Sequence, residues 1–165
     1  MTRLPLLALL IVVFNASAFQ NEPDGFRGLQ WGTSITEIEA QFGPPTSGKE
    51  SEMRRRIGDK LAIGEAELID VLYFFSDGQF DSVMLKSTGF SNKKALIGAF
   101  RTQFGEGMKP NRYIDHYLWS GPITRIGLRC RSVGDECTVL IFSTIGAQKK
   151  EAARKSAAQK AKEDF

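Results

Sequence analysis

At 165 residues the chain has the length of one domain, and its 42% hydrophobic content is enough to build a core. The formal charge is +3, and the tail accounts for it: six basic residues (Lys149, Lys150, Arg154, Lys155, Lys160, Lys162) stand against three acidic ones (Glu151, Glu163, Asp164). The body is therefore close to neutral, and the tail lacks interleaved aromatics, so composition argues against a nucleic-acid partner.

Met1-Thr2-Arg3 carries one positive charge, Leu4 to Phe14 is almost wholly apolar, and Ala16-Ser17-Ala18 is a small-x-small triplet. This is the layout of a secretory signal peptide over residues 1–18, with cleavage after Ala18. The apolar run is about half of the ~20 residues a spanning helix needs. The chain is thus expected to be periplasmic or secreted, with no membrane span in the mature part and no lipid-bearing cysteine near the cleavage site. The body is expected over residues 19–146 as a single domain, with a charged Ala- and Lys-rich tail over 147–165.

Phe26-Arg27-Gly28-Leu29-Gln30-Trp31-Gly32 reads as a short extended lead-in that plugs the end of the core. Ser34-Ile35-Thr36-Glu37 fits a capping box, Ile35, Ile38 and Phe42 share a helical face, and Gly43 before Pro44-Pro45 closes the helix in a left-handed conformation. Met53 to Ile57 reads as a strand. Its three arginines (Arg54, Arg55, Arg56) suit a charged edge that blocks aggregation better than an anion site.

Two runs rich in aromatic and β-branched residues, Leu68–Phe75 and Phe80–Lys86, flank Asp77-Gly78. That pair predicts a type I′ hairpin, with Phe75 opposite Phe80, Tyr73 opposite Ser82 and Val71 opposite Met84. Ser91 or Asn92 caps a second helix, whose apolar face is Leu96, Ile97, Phe100 and Phe104 and which ends at Gly105. Both helices close on Gln-Phe-Gly, at 41–43 and 103–105, which suggests two α-then-β units.

The second β block is expected as strands Tyr113–Trp119, Ile123–Arg131 and Cys137–Ser143. Two cysteines in an exported chain favour a disulfide. If Cys130 faces Cys137, then Leu128 faces Val139 and Ile126 faces Ile141, so one register places both cysteines and four aliphatic residues on one face. Arg125, Arg129 and Arg131 then point to the other. The tail from Ala147 is helical by propensity but has no apolar stripe with which to dock.

Several segments resemble a family of small exported bacterial proteins without assigned function. They are Phe26–Thr33, Leu61–Leu68 running into Val71–Phe75, Gly89-Phe90-Ser91-Asn92, and Tyr117-Leu118-Trp119. More loosely, helix-then-strands units in tandem are similar to the β-lactamase inhibitor protein and to small outer-membrane assembly lipoproteins. The first resemblance covers most of the mature chain except the tail and carries no catalytic residues; the second is one of pattern, and the absent lipid-bearing cysteine departs from the lipoproteins.

No catalytic, metal or cofactor residues are assigned. His116 is the only histidine and reads as half-buried and structural; no nucleophile elbow and no phosphate-cradling glycine loop occur. Tyr117, Trp119, Arg125, Arg129 and Arg131 form the candidate interaction face. Strand parity leaves two arrangements open: the aromatics and arginines share one open face, or the aromatics turn to the core. The expected fold is α+β, an antiparallel sheet of five to six strands with two helices on one face. The expected function is a non-enzymatic domain that binds another envelope or secreted protein, as an inhibitor or assembly factor does. The alternative is a small-ligand or glycan-binding module with an aromatic-and-arginine pocket.

Overall fold

The computed structural model describes residues 19–46 and 51–163. The expected signal peptide, residues 1–18, lies outside them. A ribbon of β1 (Gly25–Phe26) and β2 (Leu29–Gln30) leads to α1 (Ile35–Ile38), which runs on as a 3-10 turn over Glu39–Gln41. Then come β3 (Ser51–Arg54) and a second ribbon, β4 (Ala62–Ile63) with β5 (Ala66–Glu67). They are followed by β6 (Asp70–Ser76), β7 (Gln79–Ser87), α2 (Phe90–Phe104), β8 (His116–Ser120), β9 (Thr124–Cys130), β10 (Cys137–Ser143) and α3 (Thr144–Glu163).

Six strands form one antiparallel sheet in the order β3-β6-β7-β10-β9-β8. A helix followed by three strands of this sheet occurs twice: α1 with β3, β6 and β7, then α2 with β8, β9 and β10. The two triplets meet where β7 pairs with β10. The fold is therefore α+β, with the tandem α-then-β plan read from the sequence.

One residue row shows which face is the core. Arg54, Tyr73, Val83, Ile141, Ile126 and Trp119 stand opposite one another across the six strands. Phe42, just after α1, packs edge-on to Tyr73 at 5.2 Å and to Phe75 at 5.3 Å. Phe100 of α2 meets Trp119 at 6.0 Å. Both helices thus cover the same face.

Asp77 and Gly78 both have positive φ (51° and 73°), as a type I′ turn requires. Phe75 faces Phe80 as expected, but the remaining register does not hold. Tyr73 faces Val83 rather than Ser82, and Val71 faces Leu85 rather than Met84. The cause is a β-bulge at Asp81, which places one extra residue on β7. Asp81 is buried, and its carboxylate accepts the hydroxyls of Ser76 (2.5 Å) and Ser82 (2.8 Å). The bulge turns Val83 and Leu85 into the core and sends Met84 to the opposite face.

The helix ends differ from expectation as well. Ser34 makes no side-chain cap; its hydroxyl bonds Thr36, and the Ile35 N–H donates instead to the carbonyl of Gly78, 2.8 Å away. The start of α1 is seated on the hairpin turn. Gly43 is not left-handed, because the chain leaves Phe42 extended so that the Gly43 N–H reaches the Arg55 carbonyl. α2 begins after Gly89, not at a cap on Ser91 or Asn92. Asn92 is used elsewhere, accepting the Glu67 N–H and donating to the Thr88 carbonyl.

Cys130 and Cys137 are directly opposite, disulfide-bonded and buried, and the Leu128–Val139 and Ile126–Ile141 pairs follow in the expected register. Lys93 of α2 adds a second tie to this turn, reaching Asp115 (3.0 Å) and Asp135 (3.2 Å). The bonded pair is separated by only 7 residues, so its effect on the unfolded chain is modest. Replacing both cysteines with alanine is expected to cost about 2 kcal/mol in a denaturant titration. An unchanged midpoint would show that the turn is held without the bond.

Candidate functional site

The sheet has one covered face and one open face. Its edges offer little to a partner. The N–H groups of Gly43 and Thr46 bond the carbonyls of Arg55 and Met53 along the β3 side. Met108 and Leu118 exchange both backbone bonds on the β8 side, at 2.7 and 2.8 Å. With both edges partly occupied in this way, strand addition is disfavoured and the open face is the surface that remains.

Alternation along the strands sets what that face carries. Its central row is Leu72, Met84, Leu140, Gly127 and Leu118, read across five strands. On one side lie Phe74, Ser82, Phe142, Arg125 and Ser120; on the other, Asp70, Lys86, Thr138, Arg129 and His116. The apolar band is half-buried by its own neighbours, except for Leu72, which is buried, and Leu140, which is 40% exposed at the centre. Gly127 leaves the band low between Leu140 and Leu118.

The charge on this face is uneven. Asp70 is held by a two-pronged bond from Arg55 (2.8 and 2.9 Å), which also raises the affinity of that guanidinium for its proton. Among the described residues, Lys86, Arg125 and Arg129 form no ion pair. The face is therefore apolar in the middle with unpaired cations around it.

Helix α3 does not close over this band. It leaves β10 at Thr144, whose N–H bonds the Ile123 carbonyl, and its described side chains beyond Gly146 are exposed. Gln148, Glu151, Ala152 and Lys155 line one wall of a cleft of ≈ 600 Å³, and Arg125 stands on the other. The tail is thus a solvated helix beside the face.

The structure separates the residues of the candidate interaction face. Arg125 and Arg129 lie together on the open face. Tyr117 and Trp119 lie on the core face, opposite Leu128 and Ile126. Trp119 is 3% exposed, with its indole N–H donating to the Gly105 carbonyl at 2.9 Å. Arg131 lies beyond β9 in the turn, paired with Glu136. The arrangement with aromatics and arginines on one face is corrected: the indole ring fills the space under α2, which leaves no room for it outside.

His116 stands on the open face opposite Arg129. The residues that sequence reasoning passed over are Leu72, Phe74, Met84, Leu140 and Phe142. A signal for them existed: Val71–Phe75 and Val139–Phe142 are apolar at both parities, the pattern of strands with two covered faces. The three consecutive arginines do not make an anion site. Arg54 turns to Glu52 and the Gly43 carbonyl, Arg55 to Asp70, and Arg56 to Gln41 and the Arg27 carbonyl.

Among the described residues, no three His, Cys, Asp or Glu side chains are placed to hold a metal ion. The Lys93 ammonium draws the Asp115 carboxyl below the usual carboxylate range through a direct hydrogen bond. No described helix is long and apolar enough to cross a membrane. Comparison with protein-family models, with functionally described proteins and with solved structures finds no match to this chain.

Proposed function

We propose that the chain is an exported, non-enzymatic protein-binding domain, and that its open sheet face docks an acidic and apolar segment of another envelope or secreted protein. The observation that carries this reading is the Leu72–Met84–Leu140–Gly127–Leu118 row, bordered by Lys86, Arg125 and Arg129. A monomer seldom leaves a contiguous apolar patch rimmed by polar groups without a use for it. Unpaired cations at the rim favour a partner that brings carboxylates, since matched potentials speed and orient encounter. The partner's identity decides between the roles of inhibitor and assembly factor.

Arg129→Glu tests the charge part of this reading. Arg129 is exposed and unpaired, so the reversal leaves folding within about 0.5 kcal/mol of wild type. It is expected to slow association and to reduce recovery of the bound protein from an envelope extract in low salt. Lys94→Glu, on the exposed side of α2, is expected to change neither. Equal recovery with both variants would remove the basis for an electrostatic partner.

A further inference from the structure

We infer that the opposite side of the sheet carries a second site, an apolar pocket between α2 and the two N-terminal ribbons that takes a small neutral molecule of one to three rings or a short acyl chain. The pocket has a volume of ≈ 330 Å³ and its floor is Ile141 of β10. Phe26 of β1 and the α2 residues Phe100 and Phe104 form its walls, and Ile63 closes a further side. Its size falls at the small end of the ~300–1,000 Å³ typical of small-molecule sites.

The space follows from where small residues were placed. Along α2, Phe100 and Phe104 turn toward the sheet, while Ala99 and Gln103 turn toward the β4–β5 ribbon. Ala99 reaches only as far as its methyl group, and the ribbon meets it with Gly64, left-handed at φ 55°. A Cβ at Gly64 would lie 3.6 Å from that methyl. With a glycine and an alanine in contact here, neither side chain reaches into the pocket beside them.

The chemistry of the lining selects the ligand. Among the lining side chains the Gln103 amide is the only hydrogen-bonding group, and none is charged. Water inside would lack the two to four polar partners that an ordered site supplies. A poorly hydrated apolar pocket favours an apolar guest and excludes an ionised one. No arginine lines it, so the site differs from the aromatic-and-arginine pocket expected from the sequence. It also differs from the open face, because the sheet lies between them.

N-phenylnaphthylamine, a neutral probe that brightens in apolar surroundings, tests the site on the full chain. Trp119 packs behind Phe100 and Phe104, so saturable uptake of one probe per chain is expected to quench tryptophan emission and sensitise the probe. Ala99→Phe, at a half-buried helix position on the pocket wall, fills the pocket and is expected to weaken uptake at least tenfold while the chain still unfolds cooperatively. Gln103→Trp, at the mouth, is expected to do the same should the first variant fold poorly. Arg129→Glu, on the other face, is expected to leave uptake unchanged, which separates this site from the protein-binding face. No saturable uptake by the wild-type chain, or full uptake by a folded Ala99→Phe variant, would overturn the inference.

Discussion

Asp59→Ala is expected to cost about 3 kcal/mol of folding stability, the low end for removing one partner of an ion pair and leaving the other part-buried. The Asp59 side chain is 8% exposed. One oxygen accepts Arg27 Nη1 at 2.5 Å and the Lys60 N–H at 2.9 Å; the other accepts the Tyr73 hydroxyl at 2.8 Å. Arg27 also donates to the Ala62 carbonyl, and Arg56 donates to the Arg27 carbonyl. One carboxylate thus fastens the β1–β2 turn and the β4 ribbon to the centre of the sheet. Alanine leaves a guanidinium and a buried hydroxyl without their acceptor. Since a domain this size is typically stable by ~5–15 kcal/mol, the loss is expected to be about a fifth of the total or more and plain in a urea titration.

Tyr73→Phe removes only one arm of this network and is expected to cost about 1–2 kcal/mol. It also carries a pH signature. Burial, and then the bond to Asp59, push the Tyr73 hydroxyl well above its ordinary pKa. A raised folded-state pKa stabilises the fold fully below the unfolded value of about 10, and that contribution is lost as pH climbs past it. Wild type is therefore expected to lose more stability than Tyr73→Phe between about pH 9 and pH 11. Parallel curves for the two proteins would show that the hydroxyl is not held in this way.

Leu140→Glu is expected to have the largest effect on binding. Leu140 sits in the middle of the apolar row and is 40% exposed, so a glutamate there keeps its water in the free chain and changes stability by no more than about 1 kcal/mol. In a docked complex the same carboxylate would be desolvated at the centre of the contact, where binding energy concentrates. A central hot spot is worth about 2 kcal/mol or more, a ~30-fold loss of affinity. The partner's own acidic groups, drawn there by Arg125 and Arg129, would add repulsion. Because folding is spared and binding is not, this substitution separates a docking role from a structural one more sharply than any change in the core.

Much of this arrangement was legible in the chain. Asp77-Gly78 fixed the hairpin, since few other pairs take two positive φ values cheaply. The spacing of Cys130 and Cys137 fixed the β9–β10 register, because alternation then sorted four aliphatic residues to one side. The bulge at Asp81 was hidden. Ser76 and Ser82 supply hydroxyls to it within the hairpin, a side-chain match that neither turn nor strand propensity marks, and one extra residue moved Met84 out of the core. The caps on α1 and α2 failed for a similar reason: Gly78, distant in sequence, seats the start of α1 by accepting the Ile35 N–H, and Asn92 is drawn to Glu67 and Thr88. The side of the sheet taken by Trp119 depended on where β8 pairs with β9. Tyr113, expected inside the strand, lies before it and is exposed, which left the parity of Trp119 unfixed by composition. The open face itself was foreshadowed by strands apolar at both parities, though the more conspicuous arginines and aromatics drew the expectation elsewhere.

The central claim is that the open face is where another protein docks. A photoreactive amino acid placed at Leu140 in the full-length chain expressed in its native cells tests it directly. A second label at Lys94 on α2 serves as the comparison. The account predicts a discrete protein adduct from position 140, absent from position 94 and lost when Arg125 and Arg129 are both changed to Glu. It would be contradicted if position 140 gave no protein adduct, or the same adducts as position 94.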